Sequence, residues 1–184
     1  MSKDDDNPFS YAVKVAHISA NAVDVRISAN PEELAGLARL WNILDVKALS
    51  ASFQIQRWKK DGVRVRGTVE ADIVQSCVVT LDPIDFHIEE EVEVIFVPEG
   101  SKLARMPTAT ESGEMLLDPE GPDAPEIFSG DTIDVGIVAA EHIALAIDPY
   151  PRKADIAFAG HIESTDKDDR KPSPFAVLKD WKKD

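Results

Sequence analysis

The sequence predicts an α+β fold, an antiparallel β meander or barrel-like sheet with one helix in each half. Three observations predict it. Residues 51–96 hold long runs in which apolar and polar residues alternate. Asn30-Pro31-Glu32-Glu33 opens a stripe with helical spacing, and a second apolar helical stretch ends at Pro149 and Pro151. Period two marks half-buried strands and period 3.6 marks helices, so the chain switches between them.

The elements follow in order. Residues 1–8 read as a disordered, acidic N-terminus. Tyr11, Val13 and Val15 then alternate with smaller or polar residues, and Val23, Val25 and Ile27 do so again after a turn near Asn21. At the first helix, about 31–44, Asn30 can cap, Pro31 suits the first helical position, and Glu33 can complete a capping box. Leu34, Leu37, Ala38 and Trp41 make its buried face.

Three long strands come next. Ala51, Phe53 and Ile55 share one face; so do Val63, Val65, Gly67, Val69, Ala71 and Ile73; so do Phe86, Ile88, Val92, Val94 and Phe96. Lys60-Asp61-Gly62 predicts a three-residue hairpin loop with Gly62 left-handed. That register sets Ile55 opposite Gly67, Phe53 opposite Val69 and Trp58 opposite Arg64. A second turn is expected around Asp82-Pro83-Ile84.

Residues 99–130 carry seven acids, two bases, four prolines and four glycines. They read as a mobile acidic loop inside a single domain spanning 9–151. The second helix is expected at about 136–147. Residues 152–184 form a polar tail with a short amphipathic segment at 174–183.

Composition narrows the function. The 184 residues include 34 acids and 20 bases, a formal charge of -14. Such a chain repels polyanions unless base is concentrated locally. Apolar residues reach 43%, enough for a core. No run approaches the ~20 apolar residues of a membrane span. The acidic start has no apolar stretch, so no signal peptide is expected. A soluble, cytoplasmic protein is the expectation.

The chemistry is sparse. The four histidines are scattered, and neither a glycine-rich phosphate loop nor a nucleophile elbow occurs. Glu141-His142 lacks a third group, so no enzyme, catalytic residue or cofactor is expected. Cys77 is the one cysteine, which rules out an internal disulfide and a four-cysteine zinc site. It reads as a buried structural thiol.

Three surface features remain. His87, Glu89, Glu91 and Glu93 should form an acidic outer stripe. It is a solvated strand face, a divalent-cation site, or a contact for a basic protein. Arg57, Trp58, Lys59, Lys60, Arg64 and Arg66 cluster at the first long hairpin. They make either an ordinary charged hairpin or a grip on nucleic acid. In the tail, Phe175, Leu178 and Trp181 fall at helical spacing beside Lys179, Lys182 and Lys183. Such a segment docks in a partner's groove or on its own domain.

Three stretches resemble a known family. The first runs from Gly67-Thr68-Val69-Glu70-Ala71 to Cys77-Val78-Val79-Thr80-Leu81-Asp82-Pro83. The second is Ile133-Asp134-Val135-Gly136 with Glu141 to Ile147 and Pro149-Tyr150-Pro151. The third is Lys171-Pro172-Ser173-Pro174-Phe175-Ala176-Val177-Leu178. In this order they resemble the YceD family, the large ribosomal RNA subunit accumulation proteins. The resemblance departs where many members carry Cys-x-x-Cys. Thr80 stands at the second cysteine position and no cysteine follows Pro151, so no metal site is expected.

The resemblance implies a non-enzymatic factor in large-subunit rRNA accumulation or processing. Its implied partner is a large-subunit precursor, through rRNA or a basic ribosomal protein. Contacts are expected from the hairpin and tail residues just named. No membrane and no small-molecule substrate is implied. The alternative is a small-ligand or divalent-metal-binding domain using the acidic stripe.

Overall fold

The computed structural model describes residues 7–18, 21–104 and 124–154. The chain divides into two compact units, 1–153 and 154–184, and only Ala154 of the second is described. Seven strands and two helices are described: β1 (Ala12–Lys14), β2 (Val23–Ser28), α1 (Pro31–Leu40), β3 (Asp45–Trp58), β4 (Gly62–Ser76), β5 (Pro83–Pro98), β6 (Glu126–Phe128), β7 (Thr132–Asp134) and α2 (Val135–Ala146). Short 3-10 turns follow β1 at Val15–His17 and β5 at Lys102–Ala104.

The fold is α+β. The main sheet has the order β2-β3-β4-β5-β6, antiparallel except for the parallel pair β5–β6. It is open, so the barrel-like expectation is corrected. β1 and β7 form a separate antiparallel pair. Strand β6 falls inside the stretch expected as a loop; residues 105–123 of that stretch lie outside the described residues.

Helix α1 starts as the sequence dictates. Asn30 Oδ1 accepts from the Glu32 and Glu33 N–H groups at 2.9 and 3.0 Å, and Glu33 Oε2 accepts from Asn30 N at 2.7 Å. It ends at Leu40 rather than near 44. Asn42 is left-handed (φ 54), and the Ile43 and Asn42 amides bond back to the Ala38 and Arg39 carbonyls. That pair of bonds is a Schellman stop with Asn where Gly is commoner.

Strand β3 then begins at Asp45, four residues before the alternation becomes regular at Leu49. Its pairing with β4 shifts between Val46 and Ala48. The extra residue, Lys47, is a bulge, so Val46 and Leu49 both reach the core although three apart. Beyond it the inner face is uniform. Phe53, Ile55, Val63, Val65, Val69, Ile73, Val92 and Phe96 are buried there with Leu37 of α1 and Val135, Val138 and Ile143 of α2.

The first long hairpin turns one residue earlier than expected, which shifts the register by two. Trp58 pairs with Gly62, the loop is Lys59-Lys60-Asp61, and Lys59 takes the left-handed conformation (φ 53). Phe53 therefore opposes Gly67, and Ile55 opposes Val65. A shift of two keeps every side chain on its face, so the core assignment survives. The second turn is Cys77–Asp82, closed by Cys77 N to Asp82 O at 2.8 Å, with Leu81 left-handed (φ 62).

Asp134 joins the ends of this unit. Its Oδ1 accepts from Gly136 and Ile137 at the start of α2 and from the Tyr11 amide. Its Oδ2 accepts from the Ser10 hydroxyl. One carboxylate caps a helix and anchors the N-terminal strand.

Candidate functional site

The basic residues of the β3–β4 hairpin do not form one patch. Arg57 lies on the core-facing side of β3, and its Nε donates to the Ile18 carbonyl at 2.9 Å. Trp58, Arg64 and Arg66 lie on the outer face. Arg64 pairs across the ladder with Gln56, not with Trp58, so the expected Trp58–Arg64 pair is corrected. Glu93 of β5 takes both arginines, Arg66 at 2.7 Å and Arg64 at 3.6 Å. The Arg66 contact holds the Glu93 carboxyl below its ordinary range.

The hairpin tip is different. The Trp58 ring lies over Gly62, where a Cβ would stand 2.8 Å from ring atom Cε3. Lys59 Nζ sits 4.1 Å from the ring centroid, a cation–π distance. Lys59 and Lys60 are exposed, and Trp58 is half-buried. An aromatic plane thus stands beside two cations that make no ion pair among the described residues. The tail candidates Phe175, Leu178, Lys179, Trp181, Lys182 and Lys183 lie outside the described residues.

The acidic stripe forms as the alternation requires. His87, Glu89, Glu91 and Glu93 are exposed on the outer face of β5. His87 Nδ1 lies 2.8 Å from Asp72 Oδ1 of β4, and this contact raises the imidazole above its ordinary 6.5. Lys47, lifted by its bulge, reaches Asp85 at 2.6 Å. Among the described residues, no three His, Cys, Asp or Glu side chains are placed to hold a metal ion.

The Cys77 turn was under-read from sequence. Cys77 is fully buried. The Thr80 hydroxyl and the N–H groups of Lys153, Thr80 and Val79 favour its thiolate form. They lower the thiol to about 6, against the opposing cost of burial. Three further bonds strap residues 148–153 onto this turn: Val78 N to Pro151 O at 2.9 Å, Gln75 Nε2 to Asp148 O at 2.8 Å, and Lys153 Nζ to Asp82 Oδ2 at 3.1 Å. Thr80, three positions after Cys77, was the visible signal. Its hydroxyl is the largest influence lowering the Cys77 thiol.

These features define an open-sheet α+β domain with a charged outer face and a sulfur-centred turn. Among the described residues, no helix is long and apolar enough to cross a membrane. Residues 65–182 match the family model described as large ribosomal RNA subunit accumulation protein YceD. The match spans more than half of the chain, which belongs to the YceD family. The family's description ties it to accumulation of the large-subunit rRNA. No curated protein and no solved structure matches the chain.

Proposed function

We propose that this protein is a non-enzymatic, cytoplasmic accessory factor that binds a large-subunit precursor through its rRNA. Family membership supports the setting. The observation that carries the contact is the hairpin tip, with Trp58 laid over Gly62, Lys59 4.1 Å from its ring and Lys60 exposed beside it. An unpaired base stacks on such a ring, while the lysines meet the phosphates on either side. Glu93 lies against Arg66 and Arg64 and offsets one of their two charges, so duplex phosphates gain less from the rest of the hairpin. The reading therefore favours single-stranded segments. No cofactor, membrane or small-molecule substrate enters it.

The test is sedimentation of the tagged protein with ribosomal particles, with binding to single-stranded large-subunit rRNA fragments measured alongside. Wild-type protein should comigrate with large-subunit precursors at low salt. The Trp58→Ala variant should lose roughly tenfold or more in RNA affinity, the worth of one stacked base. Absence from every particle, or equal RNA affinity in the variant, overturns the reading.

A further inference from the structure

The outer edge of β5 is unlike the rest of the sheet. β6 covers it only at Phe96–Pro98. Among the described residues, no strand pairs with the edge of Ile84–Ile95. Twelve residues of extended backbone span ~40 Å at the usual rise, and half the polar groups of such an edge point outward. β5 is also where acid concentrates, with Asp85, Glu89, Glu90, Glu91 and Glu93 in nine positions.

Glu90 breaks the strand's own pattern. It stands on the core-facing side with Phe86, Ile88 and Val92, opposite Val69. It makes no ion pair among the described residues. A pocket of about 310 Å³ opens beside it, lined by Gln75, Phe86, Ile88, Glu90, Ala146 and Asp148 among others. Gln75 is 6% exposed. Its amide nitrogen is held by the Asp148 carbonyl, but its Oε1 has no hydrogen-bond partner. The C-terminal end of α2 also reaches this pocket at Ala146 and brings the negative pole of its dipole. Carboxylates, an unpartnered amide oxygen and a helix C-terminus call for a donor with positive charge.

We propose that the β5 edge is a docking site for an extended, lysine- or arginine-rich protein segment. The segment adds as a strand beside Ile84–Ile95 and seats a basic side chain in the pocket that Glu90 and Gln75 line. Strand addition supplies main-chain hydrogen bonds, and the pocket selects the side chain. Charge decides between occupants. A second copy's edge would set carboxylates against carboxylates, which blocks self-pairing. A basic strand meets Glu89 and Glu91 on the outer face, carboxylates that make no ion pair among the described residues. This site is separate from the hairpin tip and does not depend on RNA binding there.

The test uses the full chain and a fluorescein-labelled ten-residue peptide alternating lysine with valine and threonine. A matched peptide with glutamate for lysine is the control. Fluorescence anisotropy reads affinity, and amide hydrogen exchange reads location. The expected result is binding of the lysine peptide alone, with slowed exchange across 84–95 and unchanged exchange in β2, the opposite edge. Glu90→Gln, which keeps the side chain's shape, should weaken binding about tenfold, the size of one charge-assisted contact. No binding of the lysine peptide, equal affinity in Glu90→Gln, or exchange unchanged across 84–95 overturns the proposal. So does protection of that edge by oligouridine instead of the peptide.

Discussion

The ring of Phe53 lies against the α-carbon of Gly67, in the space a side chain at 67 would need. A Cβ there would stand 2.0 Å from the Ser52 carbonyl oxygen and 2.9 Å from Phe53 Cδ1. Both obstacles belong to β3, the neighbouring strand. Gly67→Ala should therefore cost about 1–3 kcal/mol, the usual penalty of overpacking. Urea denaturation measures it. An unchanged midpoint would mean that β3 and β4 can separate locally at no cost.

Asp134 holds four donors, so its loss should exceed that of a simple cap. Asp134→Ala should destabilise by roughly 2 kcal/mol, the upper end for a lost N-cap. The Tyr11 amide should also exchange faster in the variant than in wild type. Equal exchange at Tyr11 would show that β1 stays seated without this carboxylate.

Cys77 should titrate well below an ordinary thiol. Thiolate absorbance near 240 nm should rise with a midpoint of about 6. Thr80→Val should move the midpoint upward. The folded value lies below the unfolded one, so the thiolate's contribution is present above the unfolded pKa and fades as pH falls through about 6. Cys77→Ala should flatten that part of the stability profile. A wild-type midpoint near 8.5 would show that burial outweighs the hydrogen bonds.

His87 should titrate above 6.5, because Asp72 favours its protonated form. Nuclear magnetic resonance titration of the ring protons reads this directly, and Asp72→Asn should lower the value. The pair's stabilisation is fully present below the unfolded pKa and is lost as pH rises through the raised one. Both side chains are exposed, so the Tm change should be small and should shrink further in high salt.

Much of this architecture is legible in the residues. Asn30-Pro31-Glu32-Glu33 makes the cap its composition implies, and the alternation in 63–73 and 86–96 separates core from surface. The misses have local causes. Asn42 ended α1 through a left-handed stop that Ile43 and Leu44 disguised as further helix. The bulge at Lys47 broke the period of two and hid the start of β3. Lys59 took the left-handed place expected of Gly62, because the Trp58 ring needed Gly62 beneath it. β6 has three residues, too few for any periodicity to show.

The candidate site was legible in kind but not in arrangement. Six hairpin residues suggested one basic patch, yet strand parity sends Arg57 to the far side, and Glu93, 27 positions from Arg66, binds that arginine and lies beside Arg64. Glu90 was the informative exception. An acid on a core-facing position of β5 marks a polar pocket at the sheet edge, and the alternation passed over it.

Ser10 and Tyr11 reach Asp134 across 124 and 123 positions of sequence. During synthesis these residues are made long before their anchor. At ~5–20 residues per second, roughly 6–25 s separate them. The hairpins of β3, β4 and β5 lie wholly within that interval and need neither end. The N-terminal strand therefore stays unlatched until Asp134 emerges, after β3, β4 and β5 have been made.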